Sequence, residues 1–565
     1  MSKFISSLFI FFGMLTISVS LTAQGFDDLN EQADKEYLNK NYNKAIDLST
    51  QSINIKPNAR AYFIRADARY SLYDYEAATN DFTSALSYYS YYYNTDKYKG
   101  RIYYWRGMCY YNLSKYNDAI SDFNSALSYN YEEPGYVYWN RGNSYYVLEK
   151  YQEGDDDYAK AIDRISDSKN LSSLYKYRGD CKAKQRDYSS AYSFYARAIS
   201  YDPNNYNAYW QRGYYKDLEG KDDDALKDYA KAAEILEASS EPSKNENLSF
   251  LYRNQALMYK GLNQYPDALA AINKAIQSDP NFAKAYRTRA EIYNHLKDYE
   301  KAKSDYSNAI TLQSDKKTKA DIYLDRSMME WTILDYKSCL DDLNKAVEND
   351  PADGMNYWHR SLLYGYKKNY SLAITESNTA LSLYKNDSSS TASLFWLRAS
   401  HKEYTGDYNG AAEDYKTYLK YYPDSYSGYY ELGRLYKLKM KNNDLANANL
   451  SRASDLAEQS ADTVKDCYIK VIKGQKDEAV KTMLQIVQST PKTDDYYYKW
   501  NLHNMACIYA LAGNIPKAFE YLDKSLAAGF DDYLHLVNDR DLASLMNLPQ
   551  WKTILAKYKV PQPKL

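Results

Sequence analysis

The chain has 565 residues, too many for one compact hydrophobic core, so it must form either several domains or a repeat array. Its 72 Lys and Arg residues nearly balance its 74 Asp and Glu residues, which gives no electrostatic reason to expect a nucleic acid partner. Tyrosine is unusually abundant at 68 residues, and the positions of these tyrosines are more informative than their number.

The first residues have the pattern of a secretory signal peptide. Lys3 precedes an apolar stretch over residues 8–19, and small residues follow up to Ala23. We expect cleavage near Ala23, which makes residues 1–23 the signal peptide; a cut near Ser20 or an uncleaved anchor is the alternative, although the apolar stretch is short for a bilayer. The mature chain is therefore expected to be exported, periplasmic or on the outer surface or secreted, with no membrane span.

One pattern of small and aromatic residues recurs fourteen times after this segment, as a comparison of residues 103–126 with 286–309 illustrates. The pattern resembles the tetratricopeptide repeat, a helix–turn–helix with small residues at places 8, 20 and 27 and aromatic residues near places 4, 11, 17 and 24. The resemblance implies an all-α superhelical solenoid of about fourteen helix–turn–helix units. Place 8 is small throughout and is held by Ala33, Ala66, Gly107, Gly142, Gly179, Gly213, Ala256, Ala290, Ser327, Ser361, Ala399, Gly433, Cys467 and Ala506.

The register divides the chain into three parts after the signal peptide. Repeats 1–7 occupy residues 26–282 and repeats 8–14 occupy residues 283–528. Residues 529–565 are a C-terminal capping segment and tail, similar to the closing segment found after many bacterial arrays of this family. Such a cap is expected because a terminal repeat otherwise exposes an apolar face. The steps between repeats are alternately longer, which predicts insertions or helix extensions at every second repeat.

Arginine at place 7 and an acidic residue at place 23 appear and vanish together along the array. This predicts an ion pair between the two helices of one hairpin, and only Arg178, which faces Phe194, breaks the rule. The eight predicted pairs are Arg65/Asp81, Arg106/Asp122, Arg141/Asp157, Arg212/Asp228, Arg289/Asp305, Arg326/Asp342, Arg360/Glu376 and Arg398/Asp414.

The resemblance also implies that the first helix of each repeat lines a concave groove through places 2, 5, 9 and 12. Aromatic residues at these places suit extended peptides or sugar rings, and three basic residues form a central step between them. An alternative is that the place-5 residues pack against the neighbouring repeat. The predicted groove residues are Phe63, Tyr70, Tyr104, Met108, Tyr111, Trp139, Tyr146, Trp210, Tyr214, Arg253, Lys260, Arg287, Trp358, Trp396 and Tyr430.

The sequence offers no catalytic, metal or cofactor motif. The five histidines fall in different repeats or the cap without a partner at ligand spacing, and no phosphate-cradling loop or nucleophile elbow occurs. We therefore expect no enzyme activity and no cofactor. Two functions stay open: a scaffold of the cell envelope that binds protein or peptide partners, and a carbohydrate-binding protein that uses groove tryptophans as stacking platforms.

Overall fold

The chain is helical throughout the part that the computed structural model describes, and no β-strand occurs there. It divides into an N-terminal unit, Met1–Pro280, and a C-terminal unit, Asn281–Leu565. The predicted signal peptide lies outside the described residues, and none of the described helices is both long and apolar enough to cross a bilayer. The described residues are 25–89, 96–384, 388–493 and 495–561.

The described part of the N-terminal unit forms fourteen helices, which pack in consecutive pairs. They are α1 (25–38), α2 (Tyr42–Ile55), α3 (Ala59–Ser71), α4 (Tyr75–Ser87), α5 (Asp96–Asn112), α6 (Tyr116–Ser128), α7 (Pro134–Val147), α8 (Tyr151–Ile162), α9 (Ser168–Lys184), α10 (Tyr188–Tyr201), α11 (Tyr206–Leu218), α12 (Asp222–Ala238), α13 (Lys244–Gly261) and α14 (Tyr265–Ser278).

The C-terminal unit continues the same pairing and adds three short helices after it. The paired helices are α15 (Ala283–His295), α16 (Tyr299–Leu312), α17 (Lys316–Thr332), α18 (Tyr336–Asn349), α19 (Gly354–Tyr366), α20 (Tyr370–Leu383), α21 (Ser388–Thr405), α22 (Tyr408–Tyr421), α23 (Tyr426–Leu438), α24 (Asn443–Gln459), α25 (Thr463–Lys473), α26 (Lys476–Ser489), α27 (Asp495–Ala512) and α28 (Ile515–Ala527). The last three are α29 (Tyr533–Asn538), α30 (Ala543–Met546) and α31 (Pro549–Lys557), with a 3₁₀ turn at Arg540–Leu542 before α30.

The described helices of each unit therefore form seven hairpins, which matches the prediction of about fourteen repeats. Every hairpin turn contains one residue with left-handed backbone, which reverses the chain between the two helices. Most of these residues are not glycine, so the turns carry a small conformational cost. The left-handed turn residues are Lys40, Tyr73, Ser114, Glu149, Arg186, Gly220, Asn263, Lys297, Leu334, Lys368, Gly406, Lys441, Gly474 and Gly513.

The small residue at place 8 leaves room for the buried aromatic ring at place 24 of the same hairpin. A Cβ atom added to Gly179 would lie 2.6 Å from the Tyr195 ring, and one added to Gly142 would lie 2.8 Å from the Tyr158 ring. Both tyrosines are fully buried. The hairpins thus nest where side chains are nearly absent, as the repeat pattern predicts.

The extra residues of alternate repeats lengthen the first helix of the hairpin. Helices α5, α9, α13, α17 and α21 have 17 or 18 residues. Helices α3, α7, α11, α15 and α19 have 13 or 14. Helix extension, one of the two predicted alternatives, is therefore present in all five of these repeats.

All eight predicted ion pairs are present. In each pair the arginine Nε donates to a carboxylate oxygen at 2.6–2.9 Å. The guanidinium also lies 5.2–5.7 Å from the centre of the aromatic ring at place 4, which explains the aromatic residues found there. The exception, Arg178, lies over the Phe194 ring and pairs instead with Asp155 of the preceding repeat at 2.6 Å.

Candidate functional site: the groove face of the first helices

The first helices of neighbouring hairpins contact one another and form the wall that the repeat register assigns to the groove. In the N-terminal unit α3 contacts α5, α5 contacts α7, and α9 contacts α11. In the C-terminal unit α19 contacts α21, and α25 contacts both α23 and α27. We use the term groove face for the side of these first helices that carries places 5, 9 and 12.

Two predicted groove residues of the N-terminal unit are core residues. Phe63 is 5% exposed and Tyr104 is 7% exposed. The Phe63 ring centre lies 5.2 Å from that of Tyr98, which belongs to the next repeat. The Tyr104 ring stacks at 4.8 Å on Tyr131, which lies in the connection to the next repeat. The structure therefore corrects the groove prediction for Phe63 and Tyr104, because their rings fill the interface between repeats.

The three aromatic groove residues predicted for the C-terminal unit also pack within the protein. Tyr430 is 7% exposed and is corrected in the same way, with its ring 5.8 Å from that of Tyr426. The partly buried Trp396 ring lies 5.0 Å from Tyr418 of its own hairpin. Trp358 meets the ring of Tyr384 edge-on at 6.5 Å. Tyr430 therefore offers almost no free surface to a ligand, whereas Trp358 and Trp396 remain partly exposed.

The N-terminal unit keeps more of its predicted residues accessible. Tyr214 is exposed on α11, and the others are partly exposed: Tyr70, Met108, Tyr111, Trp139, Tyr146 and Trp210. The place-12 tyrosines rest on the place-17 aromatic residue across the hairpin turn, as in the pairs Tyr111/Tyr116 and Tyr146/Tyr151, each at 5.5 Å. This contact holds the place-12 rings in fixed orientations.

Acidic neighbours surround Arg287, one of the three residues of the predicted basic step. Arg287 donates its Nε to Asp325 at 2.6 Å, and Glu291 lies 3.7 Å away, so acidic neighbours balance its charge. Arg253 and Lys260 lie on α13 in the N-terminal unit and are partly buried. A basic step that attracts a ligand remains a prediction.

The groove face of the C-terminal unit is contacted by residues 533–542, which we call the closing segment. Its Arg540 projects between α21 and α23, where Nη2 lies 2.7 Å from Glu403 Oε1 and Nη1 lies 3.5 Å from Glu431 Oε2. Arg434 on α23 pairs with the same two carboxylates, at 2.9 Å and 2.7 Å. Glu403, at place 12, binds Arg540 directly, and Arg434, at place 9, pairs with the two carboxylates that bind it.

Burial and charge act in opposite directions in this network. Burial acts to raise the pKa of Glu431, but Arg434 and Arg540 outweigh it and hold that pKa below its usual value. Burial acts to lower the pKa of Arg540, but Glu431, Tyr415 and Glu403 outweigh it and raise that pKa. Opposite charges therefore compensate one another within the network, which a buried ionic cluster requires.

Next to Arg540, three side chains from separate places in the sequence come together around Asp539. His503 Nε2 lies 2.8 Å, and His535 Nε2 and Cys507 Sγ each lie 3.3 Å, from Asp539 Oδ2. The expectation that no histidine has a partner at ligand spacing is therefore corrected. The signal was present as two pairs with i,i+4 spacing, His503/Cys507 and His535/Asp539, which face each other only because the closing segment folds back onto α27.

Comparison with known proteins identifies the repeats. Models of the tetratricopeptide repeat match residues 100–133, 253–315 and 397–458. The DnaJ homolog subfamily C member 7 homolog of Dictyostelium discoideum is 28% identical over 39% of this chain and 42% of its own length. Heat shock protein STI1 of Saccharomyces cerevisiae is 32% identical over 16% of this chain and 15% of its own length. The chain thus spans less than half the length of these curated relatives.

Solved helical-repeat structures align with the chain at low sequence identity. The yeast Tom70 structure is 14% identical and aligns over 83% of this chain and 98% of its own length, with a TM-score of 0.29. The C-terminal part of a TPR repeat-containing protein from Cytophaga hutchinsonii is 20% identical and covers 44% of this chain and 96% of its own length, with a TM-score of 0.36. The consecutive helix pairing and the matching repeat models together make the chain an all-α array of tetratricopeptide-type hairpins.

Proposed function

We propose that the chain is a non-enzymatic protein-binding scaffold of the cell envelope that holds segments of partner proteins on its groove face. The observation that carries this proposal is that the groove face of the C-terminal unit already holds a polypeptide segment, whose Arg540 pairs with Glu403 and Glu431. A surface that fixes one segment by a buried ionic network has the chemistry to recognise others.

The N-terminal unit supplies the surface on which we place the partner. Trp139, Trp210 and Met108 are partly exposed there, and Tyr214 is exposed. Aromatic rings give a peptide large apolar contact area at low cost in side-chain entropy, and methionine adds a flexible apolar contact. The relatives named above, a DnaJ homolog and a heat shock protein, match the chain in part and suggest chaperone-related partners.

The experiment that tests the scaffold is a binding screen with the full chain against a random peptide library and an oligosaccharide array. We expect peptides to bind, and we expect the double variant Trp139→Ala/Trp210→Ala to weaken binding by about tenfold or more. Tyr73→Ala, an exposed tyrosine in a hairpin turn, is the matched control and should bind like wild type. Binding of oligosaccharides alone favours the carbohydrate alternative, and an unchanged double variant removes these tryptophans from the site.

The cell-envelope setting rests on the N-terminal sequence, with Lys3 before an apolar stretch and small residues up to Ala23. Expression of the full precursor, followed by fractionation and N-terminal sequencing, tests it. We expect a processed chain that begins close to Gln24 and lies outside the cytoplasm. An unprocessed chain in the cytosolic fraction contradicts this part of the proposal and leaves the scaffold test unaffected.

A further inference from the structure

Two helix segments present metal-ligating side chains to each other at the C-terminal end of the protein. His503 and Cys507 lie one turn apart on α27, and His535 and Asp539 lie one turn apart on and just after α29. Three of their ligand atoms, from His503, His535 and Asp539, lie within 4.8 Å of one another. Among the described residues, these three form the one such group of His, Cys, Asp and Glu side chains.

The spacing of these atoms fits a small metal ion. Zinc binds histidine nitrogen and carboxylate oxygen at about 2.0–2.2 Å, so two ligand atoms in a tetrahedral site lie about 3.4 Å apart. Asp539 Oδ2 lies 2.8 Å from His503 Nε2 and 3.3 Å from His535 Nε2. All three ligand atoms lie within 4.8 Å of one another, so small side-chain shifts that widen the shorter contact would bring them to the spacing of zinc ligands.

Neighbours outside the three-ligand group hold the ligand side chains in place. The His503 ring stacks on Phe530 with centres 4.5 Å apart and planes 6° apart. The second oxygen of Asp539 accepts the backbone N–H of Asp541 at 2.9 Å, and the Cys507 thiol donates to Oδ2. Such outer contacts orient ligands and raise metal affinity. His503 is 1% exposed, whereas His535 is 44% exposed, so an ion can enter from the His535 side.

We propose that His503 Nε2, His535 Nε2 and Asp539 Oδ2 bind a divalent transition-metal ion, with Zn²⁺ as the best match. Two imidazoles and one carboxylate favour zinc over magnesium or calcium, which prefer oxygen ligands. The three protein ligands leave a fourth position for water on the exposed side. The ion would fasten the closing segment to α27 and so stabilise the arrangement that places Arg540 on the groove face.

The experiment uses the untagged full chain, stripped with EDTA and desalted, with Zn²⁺ as the only added ligand. After zinc has been added and the excess removed by a second desalting step, we expect elemental analysis to find one zinc per chain. Competition with a chromophoric chelator measures the affinity. His535→Ala removes an exposed ligand and should weaken zinc binding by more than the about 10–100-fold typical of outer-shell changes. His295→Ala removes an exposed histidine on α15 outside the cluster and should bind like wild type.

Folding and metal binding are separated by a second measurement. Without zinc, His535→Ala should match wild type in helical circular dichroism, and the zinc-dependent rise in melting temperature should be present in wild type and absent in the variant. If wild type retains no zinc, or if His535→Ala binds zinc as tightly as wild type, the cluster is a hydrogen-bonded His–Asp–His group and the proposal fails. Neither result depends on the peptide-binding function.

Discussion

Arg540 of the closing segment donates to the Glu403 carboxylate of repeat 11 at 2.7 Å. The closing segment is therefore bound to a repeat from which three whole hairpins separate it in the sequence. This ion pair uses a side chain at a groove place of repeat 11 rather than a side chain of the last hairpin. At the same time Leu542, Leu545 and Trp551 are buried against the apolar side of α27 and α28. The C-terminal residues therefore both cover the last hairpin and occupy part of the groove face.

Arg540→Ala should destabilise the C-terminal unit because it leaves Glu403 and Glu431 with Arg434 alone. Breaking a buried ion pair costs about 3–5 kcal/mol, and the 24% exposure of the Arg540 side chain places the expected loss near the lower value. Arg452→Ala, which removes an exposed pair with Asp424, should cost only about 0–1 kcal/mol. Urea unfolding of both variants measures the difference, and equal losses would show that the network is solvent-screened.

Arg106→Ala tests the recurring pair between the two helices of a hairpin. Arg106 donates to both oxygens of Asp122 at 2.7 Å and 2.8 Å, and burial raises the pKa of Asp122 although Arg106 opposes that rise. We expect a loss of about 3 kcal/mol because the variant leaves a buried carboxylate without its partner. The double variant Arg106→Met/Asp122→Leu should recover much of this stability, since it removes both charges. A double variant as unstable as Arg106→Ala would contradict pairing as the cause.

The local part of the structure was predictable from sequence, and the C-terminal site was not. Places 7 and 23 of one hairpin change together because their side chains touch within a repeated unit, so repetition displays the contact many times. The place-5 prediction was wrong for Tyr104 because the same register serves both the groove and the interface between repeats, where its ring is buried. The contacts of Asp539 with His503 occur once, and a single non-repeating segment gives no periodic signal.

Gly179→Ala tests the steric requirement at place 8. The new Cβ atom would lie 2.6 Å from the fully buried Tyr195 ring, which cannot move away without disturbing its neighbours. We expect a loss of about 1–3 kcal/mol from overpacking. Gly261→Ala is the matched control, since nothing lies within 4 Å of its added Cβ at the end of α13, and it should be neutral or slightly stabilising. Thermal unfolding that ranks the two variants in the opposite order would overturn the nesting argument.

Asp67→Asn tests a buried carboxyl on the groove face of α3. Burial raises the pKa of Asp67 to about 7 against the opposing charge of Arg101, and Asp34 adds to the rise. The pKa of an aspartate in the unfolded chain is about 4. Between roughly pH 4 and pH 7 the folded protein therefore holds a proton that the unfolded chain has released.

Stability should therefore be greatest at the acidic end of this window and fall as pH rises towards 7, because the unfolded state binds fewer protons. The amide of Asp67→Asn cannot ionise, so the variant should lose this part of the pH dependence and should melt at a higher temperature than wild type at pH 8. The advantage should shrink at pH 5, where wild-type Asp67 is protonated when folded. Glu76→Gln, at an exposed position on α4, controls for loss of one negative charge and should leave the slope unchanged. A variant with the wild-type slope would show that Asp67 does not carry the titration.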